Sequence, residues 1–123
     1  MELRFNTSKG EEVKDIEEIL SEYRGLIPDY AKAKSYKEYL SDWRKAHISK
    51  LMVQAESKGI QTAAKQERDA LSSEDYEKTI KGLEQAIHEE VELHYKIKAL
   101  EFEIEIWRTE QANNRAERKA YNA

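Results

Sequence analysis

Cysteine is absent from this chain of 123 residues, which excludes disulfides and thiolate metal sites. No run of 18 apolar residues occurs either, so a membrane-spanning helix is not expected. The N-terminal stretch carries the acidic Glu2 and no apolar segment, which argues against a secretory signal. We therefore expect a cytoplasmic protein that does not enter a membrane.

Residues that break helices are scarce. The only proline is Pro28, and the four glycines are Gly10, Gly25, Gly59 and Gly82. Strong helix formers such as Glu, Lys, Ala and Leu dominate the rest of the chain. This composition predicts an all-α protein with a few long helices.

Stop and start signals divide the predicted helices. Residues 1–9 are predicted to form an N-terminal arm, and residues 10–25 a short helix that ends at Gly25 with Pro28 just beyond. Residues 28–71 form a basic helical segment, interrupted near Gly59. Residues 72–120 form a long acidic helix.

Smaller signals place the ends of these helices. Gly59 is the expected C-terminal cap of the helix that reaches about Lys58, and a shorter helical piece follows from Thr62 to Leu71. Ser72 and Ser73, which precede three acidic residues, are expected to open the last helix.

The long last helix constrains the architecture. Nearly fifty residues extend about 70 Å at 1.5 Å per residue, too far to be buried in a compact chain of this size. Charged residues make up 37% of the sequence, well above the roughly 25% of an average domain. We expect a single domain, 1–123, built as a long antiparallel helical hairpin with a short N-terminal helix. It should be coiled-coil-like and should self-associate as a homo-oligomer.

Charge is segregated along the chain. Residues 30–68 carry a net charge of +5, whereas residues 69–107 carry −7. The basic segment fits either a phosphate-binding surface or a helix that pairs with the acidic one. Lys58, Lys65 and Arg68 flank the inter-helix turn, so they are the first candidates for nucleic-acid contacts. Lys50 and Arg44 are candidates for a supporting role.

Aromatic residues are interleaved with these cations. The set consists of Tyr30, Tyr36, Tyr39 and Trp43 among Lys32, Lys34, Lys37 and Arg44. Such mixtures bind single-stranded nucleic acid by stacking bases and contacting phosphates. The same helical spacing also fits a core, and we favour burial for Tyr36, Tyr39 and Trp43.

No catalytic or metal-binding arrangement is apparent. His88 and His94 are six residues apart, which places them on opposite faces of a helix rather than at the i, i+4 spacing of a zinc pair. His47 lies in an apolar stripe and is expected to be a packed histidine. No Glu-x-x-His spacing or phosphate-binding glycine loop occurs. We expect no metal, no cofactor and no enzymatic activity.

Three short motifs resemble the UvsY type of phage recombination mediator. They are Lys-Leu-Met-Val-Gln-Ala-Glu at 50–56, Ala-Ala-Lys-Gln-Glu-Arg at 63–68 and Asp-Tyr-Glu-Lys at 75–78. A long helix with an aromatic residue, here Trp107, follows them. The resemblance extends over residues 35–120.

The resemblance implies a function in DNA recombination. Members of that family bind single-stranded DNA, help to load a recombinase, displace a single-strand binding protein and assemble as ring-like oligomers. Their basic DNA-contacting stretch matches Lys65, whereas Arg68 lies one position away from the matching place. A phage origin would place the protein in the cytoplasm of a bacterial host.

The acidic segment supports a second hypothesis. A helical adaptor or inhibitor could present residues 69–107 to a basic surface of a partner protein and so mimic nucleic acid. Glu101 and Glu105 are the carboxylates through which this hypothesis is most directly tested.

Overall fold

A computed structural model describes residues 15–122 of the chain. They form three helices: α1, Ile16–Ser57; α2, Ala63–Leu71; and α3, Glu74–Asn122. That part of the chain contains no strand, and the predicted all-α class is confirmed. The predicted arm, 1–9, and the predicted start of the first helix at residue 10 lie outside the described residues.

Helix α1 does not stop at Gly25, so the predicted short helix 10–25 and the break before residue 28 are wrong. Asp15 caps the helix by accepting a hydrogen bond from the Glu18 amide at 2.9 Å. Pro28 lies inside the helix, where it lacks the N–H that would bond to the carbonyl four residues earlier. The residues on both sides favour helix, and contacts with α3 outweigh the local stop signal.

The connection between the long helices follows the predicted signals. Gly59, two residues after the end of α1, adopts a φ of 101°, and the Ile60 amide donates a hydrogen bond to the Ala55 carbonyl at 3.1 Å. Thr62 caps α2. Ser73 caps α3 by accepting a hydrogen bond from the Tyr76 amide at 3.1 Å. Helix α3 then runs without interruption through Gly82 and slightly past its predicted end near residue 120.

The chain divides into two compact units, and α1 packs against α3 in each of them. One unit is Asp29–His94, and the other contains the described residues up to Pro28 and from Tyr95 onward. In Asp29–His94, the three helices meet at a small core. That core consists of Leu51, Ala70 and Tyr76, with Ile48 and Met52 packed against it. The predicted antiparallel helical hairpin is confirmed.

The unit that contains the chain's ends has its own buried residues. Ile19 of α1 and Ile97 and Leu100 of α3 are all buried. The Tyr23 hydroxyl donates a hydrogen bond to Glu101 Oε2 at 3.0 Å. This bond raises the pKa of Tyr23, because ionisation of the phenol would place two negative charges side by side.

Polar contacts also connect α1 to α3 in Asp29–His94. The Tyr30 hydroxyl donates a hydrogen bond to Glu90 Oε2 at 2.9 Å, and Lys37 Nζ lies 3.6 Å from Glu90 Oε1. The hydrogen bond from Tyr30, reinforced by the positive charge of Lys37, lowers the pKa of Glu90. The same hydrogen bond is the main cause of the raised pKa of Tyr30, and partial burial is the second cause.

The described part of the chain contains helices of up to 49 residues. None of its helices combines the length and the apolar character that crossing a bilayer demands.

Glycine substitutions should change stability in opposite directions. A Cβ atom at Gly25 meets no other atom within 4 Å. Gly25→Ala should therefore raise the free energy of unfolding by about 0.5–1 kcal/mol, since glycine is entropically costly inside a helix. Gly59→Ala should lower it by about 1 kcal/mol or more, because its positive φ is strained for alanine. Urea unfolding followed by circular dichroism measures both effects. A change in the free energy of unfolding in the same direction for both variants would contradict the helix end at Gly59.

The Tyr30–Glu90 hydrogen bond should make stability depend on pH at both extremes. Since the pKa of Glu90 is below its ordinary 4.5, its contribution is present above that value and is lost as the pH falls through the folded-state pKa. Since the pKa of Tyr30 is above its ordinary 10.0, its contribution is lost as the pH rises through the folded-state pKa. The difference in melting temperature between the wild type and Tyr30→Phe should therefore be largest between pH 4.5 and pH 10.0, the ordinary pKa values of the two groups. A difference that did not change with pH would contradict this assignment.

Candidate nucleic-acid interface

Three of the predicted site residues lie at the connection between the long helices. Lys58 follows the end of α1, Lys65 lies in the first turn of α2, and Arg68 lies in its last turn. All three are exposed, and their side chains form no ion pair with any residue in the described part of the chain. We call these residues the turn cluster. Its positive charges are available to an anionic ligand.

The backbone beneath the turn cluster is held in place by side chains. Gln66 Nε2 donates a hydrogen bond to the Ile60 carbonyl at 2.9 Å. The Lys65 amide donates one to Thr62 Oγ1 at 3.3 Å. Ala70 of α2 is almost completely buried in the core. These contacts fix the backbone that carries the three cationic side chains.

The two supporting residues differ in their surroundings. Arg44 is half-buried, and its Nη1 donates a weak hydrogen bond of 3.4 Å to the Tyr76 hydroxyl. This places its guanidinium beside the core and makes it the candidate least accessible to a phosphate. Lys50 is exposed, and its Nζ lies 5.7 Å from the centre of the Trp43 ring as a cation–π contact.

A stripe of basic and aromatic residues follows one side of α1 in Asp29–His94. Its members, which recur mainly at three- and four-residue steps, are Lys32, Tyr36, Tyr39, Trp43 and Lys50. This spacing places them on one face of a helix. We call this surface the α1 stripe. Two rings inside it are stacked, and a lysine lies at each end.

The two tyrosines of the α1 stripe are exposed. Tyr36 has 55% and Tyr39 has 62% of its surface accessible to solvent. Their ring centroids lie 6.4 Å apart at an interplanar angle of 21°. The favoured interpretation of these two residues as core is therefore wrong. The inward-facing side of α1 is occupied instead by residues such as Leu51 and Ala55.

Trp43 is half-buried and held by its neighbours. Its ring stacks on His47 with the centroids 5.0 Å apart and the planes 14° apart. His47 Nδ1 is 2.7 Å from Thr79 Oγ1 of α3, which fixes the imidazole from the other side. His47 is thus a packed, half-buried histidine. No group of three potential metal ligands occurs among residues 15–122.

Neighbouring charges distinguish the lysines of this region. Lys37 is paired with Glu90 across the hairpin, so its charge is neutralised there. Lys32 is exposed and forms no ion pair with any described residue. The cation that extends the α1 stripe beyond the tyrosines is therefore Lys32.

The carboxylates of the second hypothesis have partners within the chain. Glu101 accepts the hydrogen bond of Tyr23 and lies 3.6 Å from Lys98 Nζ. Glu105 is 2.6 Å from Arg108 Nη1. These contacts reduce the charge that both residues present to a partner protein.

Comparisons with protein-family models, curated proteins and solved structures found no match to this chain. The geometry of the turn cluster and the α1 stripe is accordingly the basis for a functional conclusion.

Proposed function

We propose that the protein binds single-stranded DNA through the α1 stripe and the turn cluster. One observation carries the proposal: Tyr36 and Tyr39 form an exposed stacked pair, followed along the helix by Trp43 and bounded by Lys32 and Lys50. The pair lies outside the core of the hairpin, and exposed aromatic faces of this kind stack nucleobases.

The α1 stripe combines the two interactions that bind single strands. Each base stacked on an aromatic side chain contributes roughly 1–3 kcal/mol, and it does so for any base sequence. Lys32 and Lys50, eighteen residues apart, are separated by about 27 Å along the helix. That length accommodates several nucleotides, whose phosphates the two lysines contact.

The turn cluster adds a second set of phosphate contacts. Lys58, Lys65 and Arg68 are exposed and unpaired within the described residues. Their contacts with phosphates release condensed cations, so binding weakens as salt increases.

The biological role follows from the resemblance to UvsY-type mediators. The protein is a phage recombination or replication accessory factor that works by binding, not by catalysis, in the cytoplasm of a bacterial host. It assists recombinase loading while a single-strand binding protein is displaced. The self-association expected from the sequence fits this role, because several weak sites on one oligomer bind a strand far more tightly than one site does.

Exposed apolar residues on α3 support a second candidate, a helical protein–protein adaptor or inhibitor. Ile80, Ile87 and Val91 are each more than a third exposed, with the acidic Glu84 among them. An amphipathic face of this type fits a groove on a basic partner protein. Binding of a recombinase but not of DNA would favour this candidate.

Removal of the stacked rings should weaken binding to a labelled thymidine oligonucleotide. Fluorescence anisotropy should show that Tyr36→Ala/Tyr39→Ala raises Kd at least about ten-fold, because each lost stack costs roughly 1–3 kcal/mol. Tyr36→Phe keeps the ring and should bind as the wild type does. Tyr121→Ala, which removes a tyrosine that is 90% exposed on α3, is the matched control. Unchanged binding by the double variant would reject the α1 stripe as the platform.

Removal of two cations from the turn cluster should reduce the salt dependence. For Lys65→Ala/Arg68→Ala, the slope of log K against log salt should decrease in magnitude by about 1.4, since each single-strand phosphate contact contributes about 0.7. Lys78→Ala/Lys96→Ala removes two exposed cations of α3 and should leave the slope unchanged.

Charge reversal separates the two candidate functions. Lys65→Glu should weaken DNA binding and with it the activity of a mediator, whereas Glu101→Lys/Glu105→Lys should abolish the activity of an acidic adaptor. A full loss in the second variant, with DNA binding intact, would contradict the proposal.

A further inference from the structure

A groove between α1 and α3 opens beside the α1 stripe, within the unit Asp29–His94. It is a shallow depression, open to solvent, with a volume of about 340 Å³. Its walls are formed by Asp29, Lys32, Ala33 and Tyr36 of α1 and by Glu89 and Leu93 of α3.

The groove shares two residues with the α1 stripe. Tyr36 stacks on Tyr39 and also lines the groove, and Lys32 belongs to both surfaces. A strand that stacks on Tyr36 and contacts Lys32 through a phosphate therefore passes the opening of the groove. One of its bases is then in position to enter.

The chemistry of the lining fits a base that donates hydrogen bonds. Ala33 and Leu93 are half-buried and apolar, and Tyr36 supplies an aromatic face. Asp29 and Glu89 are exposed and form no ion pair with any residue between 15 and 122. An ionised carboxylate only accepts hydrogen bonds, so the polar rim of the groove requires donors from its ligand.

We propose that this groove selects guanine within the bound strand, a specificity that rests on the proposed binding of single-stranded DNA. Guanine presents two adjacent donors, the N1–H and the 2-amino group, which one carboxylate accepts together. Thymine presents a single N–H between two carbonyl oxygens, and these oxygens repel a carboxylate. Single-strand readers distinguish bases through this edge once the bases are unstacked.

The 2-amino group can be tested by itself. Three thymidine oligonucleotides are compared, with thymine, guanine or hypoxanthine as the central bases. Hypoxanthine differs from guanine only in lacking the 2-amino group. Fluorescence anisotropy of the full-length protein should show about five-fold tighter binding of the guanine strand than of the other two, the lower end for a bidentate contact.

Two isosteric substitutions, combined in one variant, test the carboxylates. Asp29→Asn/Glu89→Gln should eliminate the preference for guanine over hypoxanthine and leave binding of the thymidine strand at least as tight. The matched control is Asp42→Asn/Glu92→Gln, which removes the same charges from exposed positions of α1 and α3 that do not line the groove. The control should keep the preference, and circular dichroism verifies that both variants are folded.

The outcomes separate the inference from the proposed function. Tight binding of all three strands with equal affinity would overturn guanine selection and leave single-strand binding in place. A guanine preference that survives in Asp29→Asn/Glu89→Gln would also overturn it, since the contact would lie elsewhere. Absence of binding to every strand at low salt would overturn both.

Discussion

The contact between α1 and α3 determines which side of each helix is left for a ligand. In Asp29–His94, this contact combines a small apolar core around Leu51 with polar contacts between the helices. One of these polar contacts is the hydrogen bond from the Tyr30 hydroxyl to the Glu90 carboxylate. The Tyr30–Glu90 hydrogen bond of 2.9 Å adds a directional contact to this apolar burial. Once Tyr30 faces Glu90, the face that carries Tyr36 and Tyr39 cannot also face α3. The exposure of Tyr36 and Tyr39 therefore goes with the orientation of α1 in which Tyr30 and Leu51 face their contacts.

Much of the fold was predictable, because it depends on local signals. The connection between the long helices depends on Gly59, Thr62 and Ser73, whose capping roles arise within a few residues of chain. The continuity of α1 was not predictable. Gly25 and Pro28 have the local pattern of a helix end, but α1 continues through both. Contacts with α3 outweigh that pattern, and they cannot be identified from the neighbouring residues in the sequence.

The candidate site was only partly predictable, for a similar reason. Exposure of Lys58, Lys65 and Arg68 follows from their position beside a turn. The spacing of Tyr36, Tyr39 and Trp43 shows that they share a face, but a periodic pattern does not tell whether that face points inward. The presence of Lys32 and Lys50 in the same register was the available signal, since unpaired lysines are rarely buried. The groove beside Tyr36 could not be predicted, because a third of its lining, Glu89 and Leu93, comes from a distant part of the chain.

Net charge is a poor guide to what this unit binds. Asp29–His94 carries 11 basic and 13 acidic residues, so the unit as a whole does not attract DNA. At physiological ionic strength, however, charges act over about 8 Å, and the placement of individual cations matters more than their total. The pairing of Lys37 with Glu90 neutralises one cation, which leaves Lys32 and Lys50 as the cations of the α1 stripe itself. Stacking on Tyr36 and Tyr39 does not depend on salt in this way. The aromatic pair, and not the basic segment that the sequence emphasises, is therefore the part of the surface on which the proposed single-strand binding most depends.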